Sequence, residues 1–452
     1  MAAQNWRPNP NSEAASAASR SGAVPSPASW TLGDIYDFQG APDGYTSTAG
    51  LVADANANLY GTTLFGGPNN PNCLNSGCGT AFELSPNDNG TWTETVLHSF
   101  NASKSDGCTP FAGLTLDSAG NLYGTTQSCG THGLGTVYKL SPGQAGSWTF
   151  SLLHSFGGSK KDGAVSDSTL LMDANGNLYG TTVYGGSHPE NCQNAPLPNG
   201  CGTVFELTPG PHRRWTEQVL YSFAGGSNDG AAPSEGVAMD TQGSLYGVTK
   251  FGGPFQGTVY QLTPGQGGLW QETVLHKFPT GDNDGTYPRG IPAIDSQGNL
   301  FGTTSDGGEA ELGTIWEVSP SGGTWTETVL YSFAAGGLSE PNAPYAGVVL
   351  DENGRLYGTT VEGGSGCEGF GCGSVYRFSP KTGKLKELID FGKTTTNSPE
   401  SSLLLRYGVL FGTTAFGGAV GDPNCQGVLQ GCGSVYAVSQ VVPLSDSETD
   451  VK

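Results

Sequence analysis

Asp117-Ser118-Ala119-Gly120-Asn121-Leu122-Tyr123-Gly124-Thr125-Thr126 is the stretch on which the fold turns. Its second half, Leu-Tyr-Gly-Thr-Thr with small variations, recurs seven times, on Gly61, Gly124, Gly180, Gly247, Gly302, Gly358 and Gly412. The spacings of 63, 56, 67, 55, 56 and 54 residues define a tandem repeat, and such a period has to be read before anything else. A second string, typified by Gly-Thr-Val-Tyr-x-Leu, begins at Gly79, Gly135, Gly202, Gly257, Gly313, Gly373 and Gly433. A third, typified by Trp325-Thr326-Glu327-Thr328-Val329-Leu330-Tyr331-Ser332-Phe333, begins at Trp30, Trp92, Trp148, Trp215, Trp270 and Trp325, with a weaker copy over 385–391.

Each string reads as a strand. Trp325, Glu327, Val329, Tyr331 and Phe333 alternate with Thr326, Thr328, Leu330 and Ser332, which is period two with β-branched and aromatic enrichment. A short strand precedes each Leu-Tyr-Gly-Thr-Thr, as at 113–117 and 236–240, and an Asp-x-x-Gly-Asn turn links the two. Aspartate accepts turn amides and glycine supplies the positive φ such a turn needs. Four strands repeated seven times, with no helical period between them, predict an all-β chain folded as a seven-bladed β-propeller. The register of the ends agrees. The first complete string, at 30–38, is a fourth strand without its first three, and the last repeat stops after its third, so the N-terminal strand is expected to complete the last blade and hide its edge. The expected organisation is a flexible tail over 1–29, the propeller over 30–440 and a short tail over 441–452.

Composition narrows the function. The chain has 452 residues, 73 of them glycine, and a net charge of −21. So acidic a surface, with no basic stripe, repels phosphate backbones and anionic lipid; nucleic acid is excluded as a partner, and no apolar run is long enough for membrane insertion. A monomer is expected. Ten cysteines pair off by proximity as Cys73–Cys78, Cys192–Cys201, Cys367–Cys372 and Cys425–Cys432, leaving Cys108 for Cys129. Local disulfides imply an oxidising compartment, so the chain is expected to be secreted, extracellular or periplasmic, although residues 1–29 have no apolar signal-peptide segment.

In such a ring the second-to-third and fourth-to-first loops share one face. Those loops are long, varied and carry every cysteine, so that face is the expected site. The recurring turn aspartates, Asp54, Asp117, Asp173, Asp240, Asp295 and Asp351, read as structural. So do His98, His154 and His276, which share one position with Tyr221 and Tyr331. Residues that break the repeat are better catalytic candidates, because one active site needs one constellation: Asp306, Glu309, Lys250, Arg289 and Glu235. Arg289 stands at a blade entrance, the place of Pro-x-x-Gly in other blades, where those carry Ser, Phe or Tyr neighbours. Tyr184, Phe251, Phe255, Tyr287, Tyr345 and Phe416 are the candidate substrate-binding aromatics, since ring faces beside carboxylates suit saccharide stacking. Two carboxylates from different blades could perform acid–base glycoside chemistry. The expected partner is a polysaccharide or oligosaccharide, processed by hydrolysis or elimination; the alternative is a non-catalytic carbohydrate-binding or protein-interaction propeller. No cofactor is required by any motif, and loop carboxylates are compatible with calcium.

The units Asp-x-x-Gly-Asn-Leu-Tyr-Gly-Thr-Thr, Gly-Thr-Val-Phe-x-Leu and Trp-Thr-Glu-x-Val-Leu-Tyr-Ser-Phe resemble the GloVer tandem repeat of Gloeobacter and Verrucomicrobia. The match is close at 58–63, 121–126, 177–182 and 299–304, and the repeats run over 30–439. The resemblance implies a bacterial, secreted or surface β-rich protein and brings no catalytic residues with it. The polar tail after Val441 offers no apolar anchor.

Overall fold

The computed structural model describes residues 29–441 except 74–75, 158, 160, 189–191, 193–199, 254–255, 280–282, 335–339, 366–370, 394–395, 419–424 and 426–430. It is a seven-bladed β-propeller of antiparallel blades. Blade 1 comprises Val52–Ala53, Leu59–Thr63, Thr80–Pro86 and Trp92–Ser99, and blades 2 to 6 repeat it. Blade 7 takes Leu404–Arg406, Val409–Thr414 and Ser434–Val441 from the C-terminal repeat and its fourth strand, Ser29–Asp37, from the N-terminus. The expected tails, 1–28 and 442–452, lie outside the described residues. Among the described residues helical turns are all of the 3-10 type.

The repeat strings now acquire physical reasons. In every blade the glycine of Leu-Tyr-Gly-Thr-Thr faces the aromatic residue of the third strand, from Gly61 opposite Phe82 to Gly302 opposite Trp316 and Gly412 opposite Tyr436. A Cβ on Gly61 would lie 2.6 Å from the Phe82 ring, so the glycine is the space the ring occupies. The phenylalanine that closes the preceding fourth string packs edge-on against the same ring: Phe38 on Phe82 at 5.2 Å, Phe100 on Tyr138 at 5.1 Å and Phe223 on Tyr260 at 5.0 Å. These wholly buried edge-to-face pairs form the core of each blade seam.

The two threonines divide the polar work. The second pairs with the opposing hydroxyl of the third strand, Thr63 with Thr80 at 2.7 Å and Thr304 with Thr314 at 2.8 Å. The first donates to a carbonyl of the next blade, Thr62 to Ala112 at 2.9 Å and Thr303 to Ala346 at 2.8 Å; Thr413 donates to Ala49 at 3.0 Å and so closes the ring.

The turn aspartates are structural, as their periodicity suggests. Asp54 accepts the amides of Asn56 and Asn58, the Asn58 side chain and the Tyr60 hydroxyl. One expectation needs amending. The fourth strand does not keep period two to its end, because a β-bulge recurs in every blade, as between Ile315 and Trp316 in its pairing with the third strand. The bulge falls on the Leu of the Val-Leu-Tyr/His string and turns Leu97, Leu220 and Leu275 into the core, where strict alternation would have grouped them with the outward threonines.

Cys73–Cys78, Cys108–Cys129, Cys192–Cys201 and Cys425–Cys432 are bridged, with Cα separations of 5.2 to 5.4 Å. Cys372 is also disulfide-bonded, and its expected partner Cys367 lies outside the described residues. Disulfides on this scale belong to an oxidising compartment outside the cytosol. Among the described residues no helix is long and apolar enough to cross a membrane.

Candidate active site in the central channel

Each inner strand is entered through one residue with left-handed φ: Thr46, Thr109, Val165, Ala232, Tyr287, Ala343 and Ser398. Its amide donates to a loop carbonyl of the preceding blade, Cys432, Cys78, Leu134, Cys201, Gln256, Leu312 and Cys372 in turn, at 2.8 to 3.0 Å. Seven identical clamps therefore fix the position two residues on. That position carries seven different residues: Thr48, Phe111, Asp167, Ser234, Arg289, Tyr345 and Glu400. Six of them, with Glu235 replacing its neighbour Ser234, line one cavity of about 340 Å³ at the ring centre. Further along the same strands the wall becomes apolar, with Leu51, Leu114, Ile291, Val348 and Leu403.

The repeat rules fail around blade 4. Glu235 has φ 67° in addition to the regular left-handed residue Ala232. Its carbonyl accepts the Thr169 amide at 3.1 Å, and the Thr181 hydroxyl, which by the rule of the other seams should reach that carbonyl, is buried without a partner. At the next seam Val248 stands where other blades have the donating threonine, and Gly290 where they have the accepting residue. Backbone strain and broken local rules beside a charged pocket make this the candidate site.

The charges in the pocket shift one another. Asp167 lines the cavity wall and is otherwise hemmed in by protein; burial pushes its carboxyl up to about 6, against the opposing effects of a 2.8 Å hydrogen bond from the Gln127 amide and the Lys250 charge. Burial also raises Glu235, opposed by the Arg289 charge, the Gly290 amide and Lys250, and reinforced by Asp167. Glu400 is raised by burial against Arg289. Lys250 is lowered by burial and by Arg289, while Asp167, Asp306 and Glu235 act the other way. The Arg289 guanidinium lies over the Tyr345 ring at 4.6 Å, and Lys250 Nζ over the Phe251 ring at 5.6 Å. Phe251 in turn meets Tyr287 edge-on at 5.9 Å.

The structure thus brings Glu235, Lys250, Arg289 and Tyr345 together. Asp306 is exposed at the rim, where it accepts the Ser305 hydroxyl at 2.7 Å and acts on Lys250. Glu309 stands apart, on an outer depression with Asp284, Glu327 and Tyr331. Tyr184 and Phe416 are half-buried in two-residue ribbons with Ala164 and Asn397, outside the pocket lining, and Phe255 lies outside the described residues. Asp167, Glu400 and Phe111 were not legible as site residues taken singly. The signal was there in the alignment of the seven entrances, since all three occupy the position of Arg289.

A second set of titratable groups lies between blades. The aspartate of each Asp-Gly loop accepts from the fourth-strand His or Tyr: His98 to Asp106 at 3.1 Å, His276 to Asp284 at 2.9 Å, Tyr36 to Asp43 at 3.0 Å and Tyr221 to Asp229 at 3.1 Å. A glutamate of the next blade closes in, so that His154, Asp162 and Glu217, and likewise His276, Asp284 and Glu327, bring ligand-type atoms within 4.8 Å of one another. Among the described residues these two groups could hold a metal ion, and their mixed imidazole–carboxylate donors suit a transition metal better than calcium. The recurrence with tyrosine shows that the hydrogen bond to aspartate is the common element. Where the glutamate is absent, Phe150 stacks on His98 at 4.5 Å.

Burial first, and the adjacent aspartate second, push Glu94, Glu217, Glu272 and Glu327 each up to about 7. Their ordinary value is 4.5, so the folded chain binds more protons than the unfolded chain between pH 4.5 and about 7. Stability is therefore expected to fall as pH rises through that window. Discounted for solvent screening to about 1 kcal/mol each, the four groups lower Tm by about 4 °C at pH 8 relative to pH 5. Scanning calorimetry at the two pH values checks this, and the quadruple Glu→Gln variant should lose the difference.

The model of the Gloeobacter/Verrucomicrobia repeat matches residues 17–192, 72–270 and 254–436. The chain belongs to this repeat family. No curated protein matches it significantly in sequence. Among solved structures, this member of the repeat family is similar to the extracellular domain of a one-component system from B. thetaiotaomicron, at 12% identity and TM-score 0.48, covering 91% of this chain and 42% of the other. It is also similar to PorZ, a surface component of the type-IX secretion system of Porphyromonas gingivalis, at 14% identity and TM-score 0.48, covering 88% and 47%. A luciferin-regenerating enzyme aligns at 13% identity and TM-score 0.41, covering 91% and 95%. The chain thus spans less than half the length of the first two. At these identities and TM-scores the likenesses carry nothing about what this chain does.

Proposed function

We propose that this propeller is an extracellular glycan-processing enzyme that works in its central pocket. One observation carries the reading: a single position of the repeat, held by the same backbone clamp in every blade, is varied so that the carboxylates of Asp167 and Glu400 and the Arg289 guanidinium, from different blades, meet in one concave, partly apolar cavity. A lectin-like propeller would repeat one shallow site from blade to blade, whereas this constellation occurs once, where the repeat is broken. Asp167, pushed up to about 6, and Glu235, raised by burial, are suited to hold and return a proton, and the Phe111 and Tyr345 rings line the cavity beside them. Most glycoside hydrolysis uses a pair of carboxyl groups, one protonated and one charged.

The test is product analysis by mass spectrometry after incubation with a panel of neutral and acidic polysaccharides. New oligosaccharides from the wild type and none from Glu235→Gln are expected. Product masses separate addition of water from elimination. Intact polymers throughout, with no binding to the same panel, would overturn the reading.

A further inference from the structure

We propose that the glycan bound in the pocket is an acidic one, and that Arg289 with Lys250 forms the subsite that holds the carboxylate of a uronic acid residue. This rests on the reading of the pocket as a glycan site and names the substrate class.

The carboxylates around the two cations act on them from a distance, and none of them closes onto either cation as an ion pair. Arg289 Nε is buried and has no hydrogen-bond acceptor, and among the described residues neither Arg289 nor Lys250 makes an ion pair within 4 Å. A buried charged donor left unmade is costly, and a site built around such a donor favours the ligand that completes it. The guanidinium is held over the Tyr345 ring at 4.6 Å, and its planar fork matches a planar carboxylate with two parallel hydrogen bonds. Lys250 comes from the neighbouring blade and is held over Phe251 instead of over a carboxylate. The two positive charges act unfavourably on each other, which an anion between them would relieve. Only 19 of the 452 residues are Lys or Arg, against 40 Asp and Glu, so the convergence of two cations here runs against the composition of the whole chain. A neutral sugar, read by hydroxyl acceptors and ring faces, gives neither cation an anionic partner. A sulfated sugar would bring a tetrahedral group to a planar fork. Asp167, Glu235 and Glu400 around the cations limit the ligand charge that the pocket accepts, which favours one carboxylate per sugar.

The experiment is calorimetric titration of the full chain with trimers of galacturonate, glucuronate and mannuronate, with their methyl esters, and with neutral and sulfated trimers of matched linkage. At least one free uronate trimer is expected to bind, its methyl ester at least 30-fold more weakly. Arg289→Gln should weaken the uronate by about 30- to 100-fold without changing the ester, and Arg289→Lys should restore part of the difference. Circular dichroism and Tm establish that each variant is folded, and the lysine variant keeps the test intact if the glutamine variant is not. Binding of a neutral or sulfated trimer in preference to every uronate, or equal binding of acid and ester, would overturn the acidic-substrate inference while leaving the glycan reading in place. No binding by any saccharide would overturn both.

Discussion

Removing residues 1–38 is expected to abolish the folded monomer. The deletion takes away the fourth strand of blade 7, which pairs with Ser434–Val441 from Ser29 to Asp37. It also removes Phe38, wholly buried against Phe82, and Trp30, which meets Tyr357 at 6.4 Å. The first of these contacts is the aromatic seam between blade 7 and blade 1, so the ring loses its closure and presents an unpaired strand edge. Nine strand-paired residues, the wholly buried Phe38 and the partly buried Trp30 are a large share of the ~10 kcal/mol by which a domain of ordinary stability is folded. The truncated chain should elute as aggregate, without a cooperative thermal transition. A peptide spanning residues 29–39, added during refolding, should restore monomer by donating the missing strand, and the same peptide with Phe38→Ala should not. A cooperative monomer from the truncated chain alone, with Tm near that of the full chain, would show that closure does not depend on this strand.

The same closure was readable in the sequence, and the reason is physical. Seven copies of three strings each had to satisfy the same neighbours, so each carried the same glycine, threonine pair and closing phenylalanine. Repetition turned a weak strand signal into a strong one and exposed the register at both ends. What repetition could not give was a feature specified by geometry within a string. The bulge at Leu97, Leu220 and Leu275 is identical in every blade, but it leaves the composition of the string unchanged and shows only in the pairing register. The pocket was legible in half. Lys250, Arg289 and Glu235 stand out because they break the repeat locally. Asp167 and Glu400 look ordinary beside their own neighbours, and become significant only when the entrances of all seven blades are superposed on one channel axis. Glu309 breaks the repeat just as visibly as Asp306, yet its loop lies out at the seam. A departure from a repeat marks a site only where the fold directs it inward.

Asp167→Asn and Glu235→Gln are each expected to lower kcat/KM on the cleaved glycan by about 10²- to 10⁴-fold, the usual range for loss of a general acid or base. Both are near-isosteric, and Asn can still accept the Gln127 amide hydrogen through its carbonyl oxygen, so binding measured by titration should persist while turnover is lost. The pH dependence distinguishes a chemical from a structural role. Asp167 is raised to about 6, so a proton that it must donate is available below that pH and scarce above it. Activity should therefore descend as pH rises through about 6. Lys250 holds the Asp167 carboxyl lower than burial alone would. Replacing the ammonium by an uncharged group in Lys250→Met removes that opposition, so the descending limb should move to higher pH, by up to about one unit for a partly screened charge at short range. A variant that merely loosened the pocket would depress the whole profile without moving it. The Asp167→Asn profile should lose the limb altogether, and a limb that stayed near pH 6 in that variant would assign the titration to another group, with Glu235 the next to be examined in the same way.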